Sequence, residues 1–247
     1  MLFIKVFNHM RSVVKHKSNF NFTGIRRNNV SNVFKGFLLS QMQSRNMSSS
    51  VTDKIDDRIV WIDMEMTGLD FEKDRIIEVA CLVTDGNLNI IAEGPELTIH
   101  QPKNILDEMN EWCVNQHTKS GLVKKVLESK VTEQQAEQLL LDFVKQHTAE
   151  KKCPLAGNSI SFDRYFMLKY FPKFEHHLNY RMIDVSSIKE LCKRWFPEEY
   201  SKVLDKKRDS KHRALDDIRN SIAELQYYRK TIFRHHEGAE SMAISWC

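Results

Sequence analysis

Apolar residues alternate with polar or aromatic ones through Arg58–Thr67: Val60, Ile62, Met64 and Met66 interleave with Trp61, Asp63, Glu65 and Thr67. A period of two predicts a strand. Ile76–Thr84 is a second apolar strand, Asp85-Gly86-Asn87 is a turn signal, and Leu88–His100 can return as a third strand. The period then lengthens. Thr132 and Gln135 form a T-x-x-Q capping box, behind which Ala136, Leu139, Leu140, Phe143 and Val144 recur at helical spacing. Cys153–Ala156 reads as a short buried strand ending at Gly157-Asn158. Ser161 is placed to cap a helix running to Tyr170 and stopped before Pro172. Tyr180–Asp184 reads as another short strand, followed by a helix over about Ser187–Trp195. The polar stretch Glu198–Ser210 reads as loop, and a last helix runs from about Arg213 to Lys230 with Ala214, Ile218, Ile222 and Leu225 inward. Three strands followed by alternating helices and strands predict an α/β fold, a mixed sheet flanked by helices. The expected domain spans 56–233, with a flexible tail over 234–247.

Charge changes the picture at the N-terminus. Residues 1–50 hold eight Lys or Arg and no Asp or Glu. Removing these eight from the 37 basic residues of the chain leaves 29 against 33 acidic ones, a net charge of −4 for the body. The acid-poor leader with Arg, Ser and interspersed apolar residues has the composition of a mitochondrial transit peptide, the alternative being a merely basic tail. A second start at Met47, before Ser48-Ser49-Ser50, would yield a cytoplasmic form without it. The acidic body argues against a general nucleic-acid coat protein, which is usually basic in its folded part. No apolar run approaches the ~18 residues that span a bilayer. Five cysteines without metal-ligand spacing predict a reduced compartment and no disulfide framework.

Certain carboxylates sit where a plain fold would not place them. Asp63 and Glu65, two apart on a strand, leave the same face, and two such charges repel. A divalent cation with a preference for hard oxygen ligands, Mg²⁺ or Mn²⁺, offsets that repulsion directly. Asp163 follows Gly157-Asn158-Ser159 at a strand-to-helix connection, where α/β sheets build sites. His212-x-x-x-x-Asp217 places a His in a loop or first turn and an Asp inside the last helix. Asp216 is adjacent, and spacing alone does not choose between the two. Four carboxylates can hold two metal ions about 4 Å apart, the arrangement that clamps the attacking and leaving oxygens of a phosphodiester. A histidine with an ordinary pKa near ~6.5 suits proton removal from water.

In Ile62–Asp70 (IDMEMTGLD), the RIIEVACLVTD string after it, Gly157-Asn158-Ser159 and His212–Asp217 (HRALDD), the chain resembles the oligoribonucleases, a four-carboxylate-plus-histidine branch of the ribonuclease H-like 3′–5′ exonucleases. The resemblance runs from about Ile59 to Phe233. With the basic leader, it points to the mitochondrial form of animals. It implies a 3′–5′ exoribonuclease that degrades short RNA, dinucleotides above all, to nucleoside 5′-monophosphates. It implies that Asp63, Glu65, Asp163 and Asp217 bind two Mg²⁺ or Mn²⁺ and that His212 is the general base. Leu69 would wedge between the two terminal bases and Trp112 would pack at the substrate. Ser159 would contact the 5′ phosphate. The family is homodimeric. Tyr180 would stack on the 5′-side base of the partner's site, and Arg181, Ser186 and Ser187 would grip the 5′ phosphate there. In some relatives a Thr stands at the Ser187 position, which keeps the hydroxyl. A DNA-directed 3′–5′ exonuclease and a non-catalytic nucleic-acid-binding protein are the alternative expectations.

Overall fold

The computed structural model describes residues 57–206 and 213–233. The basic leader, His212 and the tail from 234 lie outside the described residues. A five-stranded mixed sheet is ordered β3-β2-β1-β4-β5. Strands β1 (Ile59–Met66), β2 (Ile76–Thr84) and β3 (Ile90–Thr98) form an antiparallel meander. The short β4 (Leu155–Gly157) and β5 (Met182–Asp184) continue from β1 in parallel.

The alternation in β1 is apolar on both faces at its start. Val60, Ile62 and Met64 enter a core cluster with Ala136, Leu140 and Val144 of α4 (Glu133–His147) and Phe166 and Met167 of α5 (Ser161–Tyr170). Ile59 and Trp61 enter a second cluster with Ile218, Ile222 and Leu225 of α9 (Ala214–Thr231) and Cys192 of α7 (Val185–Trp195). Trp61 is fully buried, and its indole N–H donates to Thr84 Oγ1 at 3.0 Å. Truncating such a residue typically costs about 3–5 kcal/mol. The central strand is thus fixed on both sides before it reaches its first carboxylate.

Several local expectations hold. The Thr132–Gln135 capping box forms in full at the start of α4, and the four inward positions named for α9 are buried. Others change. Within α4 it is Leu141 that is buried, while Leu139 is exposed. Ser161 does not cap α5; Ile160 holds the cap position without a side-chain bond. Pro172 opens a further helix, α6 (Pro172–His177), because proline at a first helical position sacrifices only an N–H that has no partner anyway. Of the stretch Glu198–Ser210 expected as loop, residues 198–206 instead belong to α8 (Pro197–Lys206), again opened by proline, with Val203 buried in the α9-side cluster, and 207–210 lie outside the described residues. Between β3 and α4 the chain adds α1 (Lys103–Asp107), α2 (Glu111–Lys119) and α3 (Leu122–Glu128). These close a third cluster over Ile77, with Leu106, Cys113, Leu122 and Val126. No helix among the described residues is long and apolar enough to cross a membrane.

Candidate active site

Asp63 and Glu65 follow Trp61 on the α9 side of β1. Asp63 is paired across to Ala80 of β2, and Glu65 to Glu78, after which the register shifts at Glu65/Met66. Asp217 lies in the first turn of α9, which packs against β1 and β2. One carboxylate oxygen from each of Asp63, Glu65 and Asp217 lies within 4.8 Å of the others. The neighbouring Asp216, which spacing could not set aside, is exposed and pairs with Arg219 at 3.3 Å. Asp163, buried in the first turn of α5, comes from the opposite side of the sheet. Its carboxylate accepts from the backbone N–H of Met64, between the two β1 acids. It stands outside the tight group of three, but its charge is the strongest of those acting on Asp63.

The acids pay for this proximity in their proton affinity. Burial, then the charges of Asp163, Glu65 and Asp217, hold the Asp63 carboxyl well above the usual range. Burial and the charges of Asp217 and Glu78 push Glu65 up to about 8, against a smaller opposing effect of Arg213. Burial takes Asp163 to about 7 although two backbone N–H groups oppose it. Desolvated carboxylates that repel one another stay ionised near neutral pH only with compensating positive charge. The donor set is all oxygen, and hard divalent cations fit it.

Two further buried residues, Glu78 and His117, shape the site. Glu78, fully buried, faces Glu65, a like-charge pair that would be unfavourable alone. It accepts from Arg213 Nη2 at 2.9 Å and Nε at 3.3 Å and from the backbone N–H of Ala214 at 3.4 Å, so it binds the start of α9 to β2. Arg213 reaches Glu96 of β3 as well, at 2.7 Å. The second is His117 of α2, also buried. Its Nε2 lies 3.0 Å from Met66 O and its Nδ1 3.9 Å from Glu65 Oε2. A carbonyl only accepts, so Nε2 carries the proton and Nδ1 turns its lone pair toward Glu65. Burial lowers the His117 pKa, which keeps the ring neutral. A charged residue alternating in a strand signals Glu78. Nothing local signals His117, which lies in the short nine-residue helix α2.

The other expected site residues fall into two groups. Ser159 and Ser186 meet within one chain: their hydroxyls are 3.0 Å apart, and the Ser159 N–H lies within bonding reach of Ser186 Oγ (2.7 Å) and Asp184 Oδ1 (2.9 Å). These bonds hold Ser159 at φ +54°, a left-handed conformation that costs a non-glycine residue on the order of 1–3 kcal/mol. Asn158 ties the same corner to α9, donating to Ser221 Oγ at 2.7 Å and accepting from Ser186 Oγ and Lys189 at 3.2 Å each. Ser187 Oγ donates to Asp184 Oδ2 at 3.3 Å. Leu69, Trp112 and Tyr180 are 66%, 68% and 72% exposed, far more than their apolar surface favours. The Arg181 guanidinium lies 4.7 Å over the Tyr180 ring, and the Tyr180 carbonyl is held by Arg164 at 2.9 Å. His212 is outside the described residues, one position before Arg213.

The family model described as "Exonuclease" (RNase_T) matches residues 60–225. The mitochondrial oligoribonuclease of Homo sapiens is 59% identical over 177 residues, which cover 72% of this chain and 74% of the human one. The oligoribonuclease of Chromobacterium violaceum is 54% identical over 172 residues, covering 70% and 93%. Among solved structures, a zinc-bound complex of E. coli exonuclease I with single-stranded DNA superposes with a TM-score of 0.56 at 17% identity, covering 72% of this chain and 41% of that one. Exonuclease I from Methylocaldum szegediense gives 0.54 at 19% identity, covering 70% and 40%. This chain spans about two fifths of those two exonucleases, and at such identity the likeness concerns the fold. An exonuclease family match over residues 60–225, the span that holds the gathered acids, and 59% identity to a mitochondrial oligoribonuclease place the chain in the oligoribonuclease family of exonucleases.

Proposed function

We propose that the chain is a 3′–5′ exoribonuclease that degrades short oligoribonucleotides, dinucleotides above all, to nucleoside 5′-monophosphates. The observation that carries this is the group formed by Asp63, Glu65 and Asp217 within 4.8 Å, in a chain 59% identical to a mitochondrial oligoribonuclease. Asp63, Glu65, Asp163 and Asp217 would hold two divalent cations, Mg²⁺ or Mn²⁺. When bound, such a pair supplies Lewis-acid stabilisation of the attacking and leaving oxygens. His212 removes the proton from the attacking water, for which an imidazole that titrates near neutrality is suited. The neutral His117 beside Glu65 keeps an acceptor nitrogen turned to the site.

Recognition falls to the exposed apolar residues. Leu69 inserts between the two bases and Trp112 packs at the substrate. Ser159 contacts the 5′ phosphate. In a homodimer, Tyr180 stacks on the 5′-side base of the partner's site, where Arg181, Ser186 and Ser187 hold the phosphate. The exposure of Tyr180, with Arg181 on its ring, supports a role outside the chain's own core. A net charge of −4 over residues 51–247 fits a substrate gripped at its ends rather than along a basic groove. Residues 1–50 are the mitochondrial transit peptide, in keeping with the mitochondrial relatives, and initiation at Met47 supplies a cytoplasmic pool.

The test is a comparison of two-nucleotide and twenty-nucleotide RNA and DNA in Mg²⁺. The expected outcome is preferred cleavage of the RNA dinucleotide. Preference for long DNA, or no cleavage of any strand, overturns the reading.

A further inference from the structure

The nine residues Thr67–Arg75 turn the chain from β1 to β2 and carry Leu69. The turn is mostly exposed, so the core does little to hold it. Its own bonds make it a closed ring. The Asp74 carboxylate accepts from Thr67 Oγ1 and from the backbone N–H of Asp70, both at 2.9 Å, and Thr67 Oγ1 accepts from the Arg75 N–H at 3.0 Å. A Cβ at Gly68 would come within 2.3 Å of Asp74 Oδ2 and would displace the carboxylate that closes the ring.

A second set of contacts comes from α5, about a hundred residues later in the chain. Lys169 Nζ donates to the carbonyls of Phe71 (3.0 Å) and Glu72, and lies 3.6 Å from the Glu72 carboxylate. The Tyr170 hydroxyl donates to Asp74 O at 2.8 Å. The Tyr165 ring stacks on that of Phe71, centroids 5.5 Å apart. Tyr170 is itself steadied, with the Arg75 guanidinium at 4.9 Å and the Lys169 ammonium at 5.3 Å from its ring. An exposed lysine that spends its donors on two main-chain carbonyls adds nothing to a core. It restrains the backbone it binds. The first turn of this same helix carries Asp163.

We infer that Lys169 and Tyr170 are positioning residues that fix Leu69 relative to the catalytic carboxylates, with α5 as the rigid link between the turn and Asp163. This rests on the reading of Leu69 as the wedge between the bases of a dinucleotide. A wedge on an unbraced turn yields when bases close on it, so part of the binding free energy is lost to ordering the turn. Catalysis after binding is unaffected, because the metal-binding carboxylates do not take part in these bonds.

The experiment compares full-length Lys169→Met, Tyr170→Phe, Lys169→Arg and Leu69→Ala on a 5′-phosphorylated RNA dinucleotide, with Mn²⁺ binding followed by calorimetry. Lys169→Met combined with Tyr170→Phe is expected to raise KM about tenfold, the scale of one lost charge-assisted hydrogen bond. The expected kcat and Mn²⁺ affinity are those of the wild type. Lys169→Arg, which keeps charged donors, restores most of the loss. Added to Leu69→Ala, the α5 changes have little further effect, since the group they position is gone. If Leu69→Ala raises KM but the α5 variants do not, or if their effects simply add, the positioning role is refuted while the wedge stands. If the α5 variants weaken Mn²⁺ binding, they act through Asp163 and the inference is wrong. If Leu69→Ala leaves KM unchanged, the wedge reading fails and this inference with it.

Discussion

At the scale of single residues, the site is defined by protons it holds too tightly. The ordinary values for Glu65 and Asp163 are 4.5 and 3.8, and in the fold they titrate at about 8 and about 7. Between the two sets of values the folded chain binds protons that the unfolded chain has released. Stability of the metal-free protein therefore falls as pH rises through this window, and below about pH 4 the difference vanishes. Melting temperatures measured without divalent cations are expected to drop by several degrees from pH 6 to pH 8.5. Saturating Mg²⁺ should flatten that slope, because cations then take the place of the protons, and their uptake at pH 7 should release protons to the buffer. Asp63→Asn removes one of the repelling charges. It is expected to abolish activity while leaving the metal-free melting temperature at pH 8 unchanged or higher. A marked fall in that temperature would make Asp63 a structural residue and count against the cation site.

At the scale of elements, the placement of α9 decides whether Asp217 reaches β1. Its start is bound to β2 by Glu78, which accepts from Arg213 and from the Ala214 N–H. Because Glu78 is fully buried, removing its partner leaves an uncompensated charge. Arg213→Met is expected to cost about 3 kcal/mol, the lower end for breaking a buried pair from one side. In a domain of this size that corresponds to a melting temperature lower by roughly 6–12 °C. Activity should fall along with it, since Asp217 sits in the first turn of that helix. The exposed pair of Arg219 with Glu93 at 2.9 Å is the natural control, and Arg219→Ala should cost under about 1 kcal/mol. Equal losses from the two changes would show that Glu78 is not the anchor of α9.

At the scale of the whole molecule, the arrangement of the site makes a prediction about subunits. The carboxylates meet within one chain, whereas the side chains of Tyr180 and Arg181 are exposed and lie on each other, while their main chain is held by Asn179, Arg164 and Leu155. If they complete the partner's site, Tyr180→Ala and Asp63→Ala proteins should complement each other. Stacking is worth roughly 1–3 kcal/mol per base, so Tyr180→Ala alone should weaken dinucleotide cleavage by about one to two powers of ten. Random exchange of equal amounts makes half the dimers mixed, each with one good site. Activity should then return to about a quarter of the wild type. No recovery, with exchange shown independently, would mean that Tyr180 serves its own chain.

Much of this was written locally. A period of two put Asp63 and Glu65 on one face, a capping box opened α4, and a period of 3.6 gave α9 its buried stripe, because these patterns arise between neighbours a few residues apart. The helices α1–α3 and α8 were not legible: they are short and are stabilised by burying Leu106, Leu122 or Val203 against strands distant in sequence. The choice of Asp217 over Asp216 was equally closed to spacing, since it depends on which face of α9 turns to the sheet. His117 and the Glu78–Arg213 anchor entered the picture only through contacts spanning 51 and 135 residues. The sequence by itself determined which groups were available, four acids of one chemical kind on recognisable elements. Tertiary structure decided how close they stand and how dry they are, because repulsion and desolvation depend on distance and burial, and chain closure alone sets both.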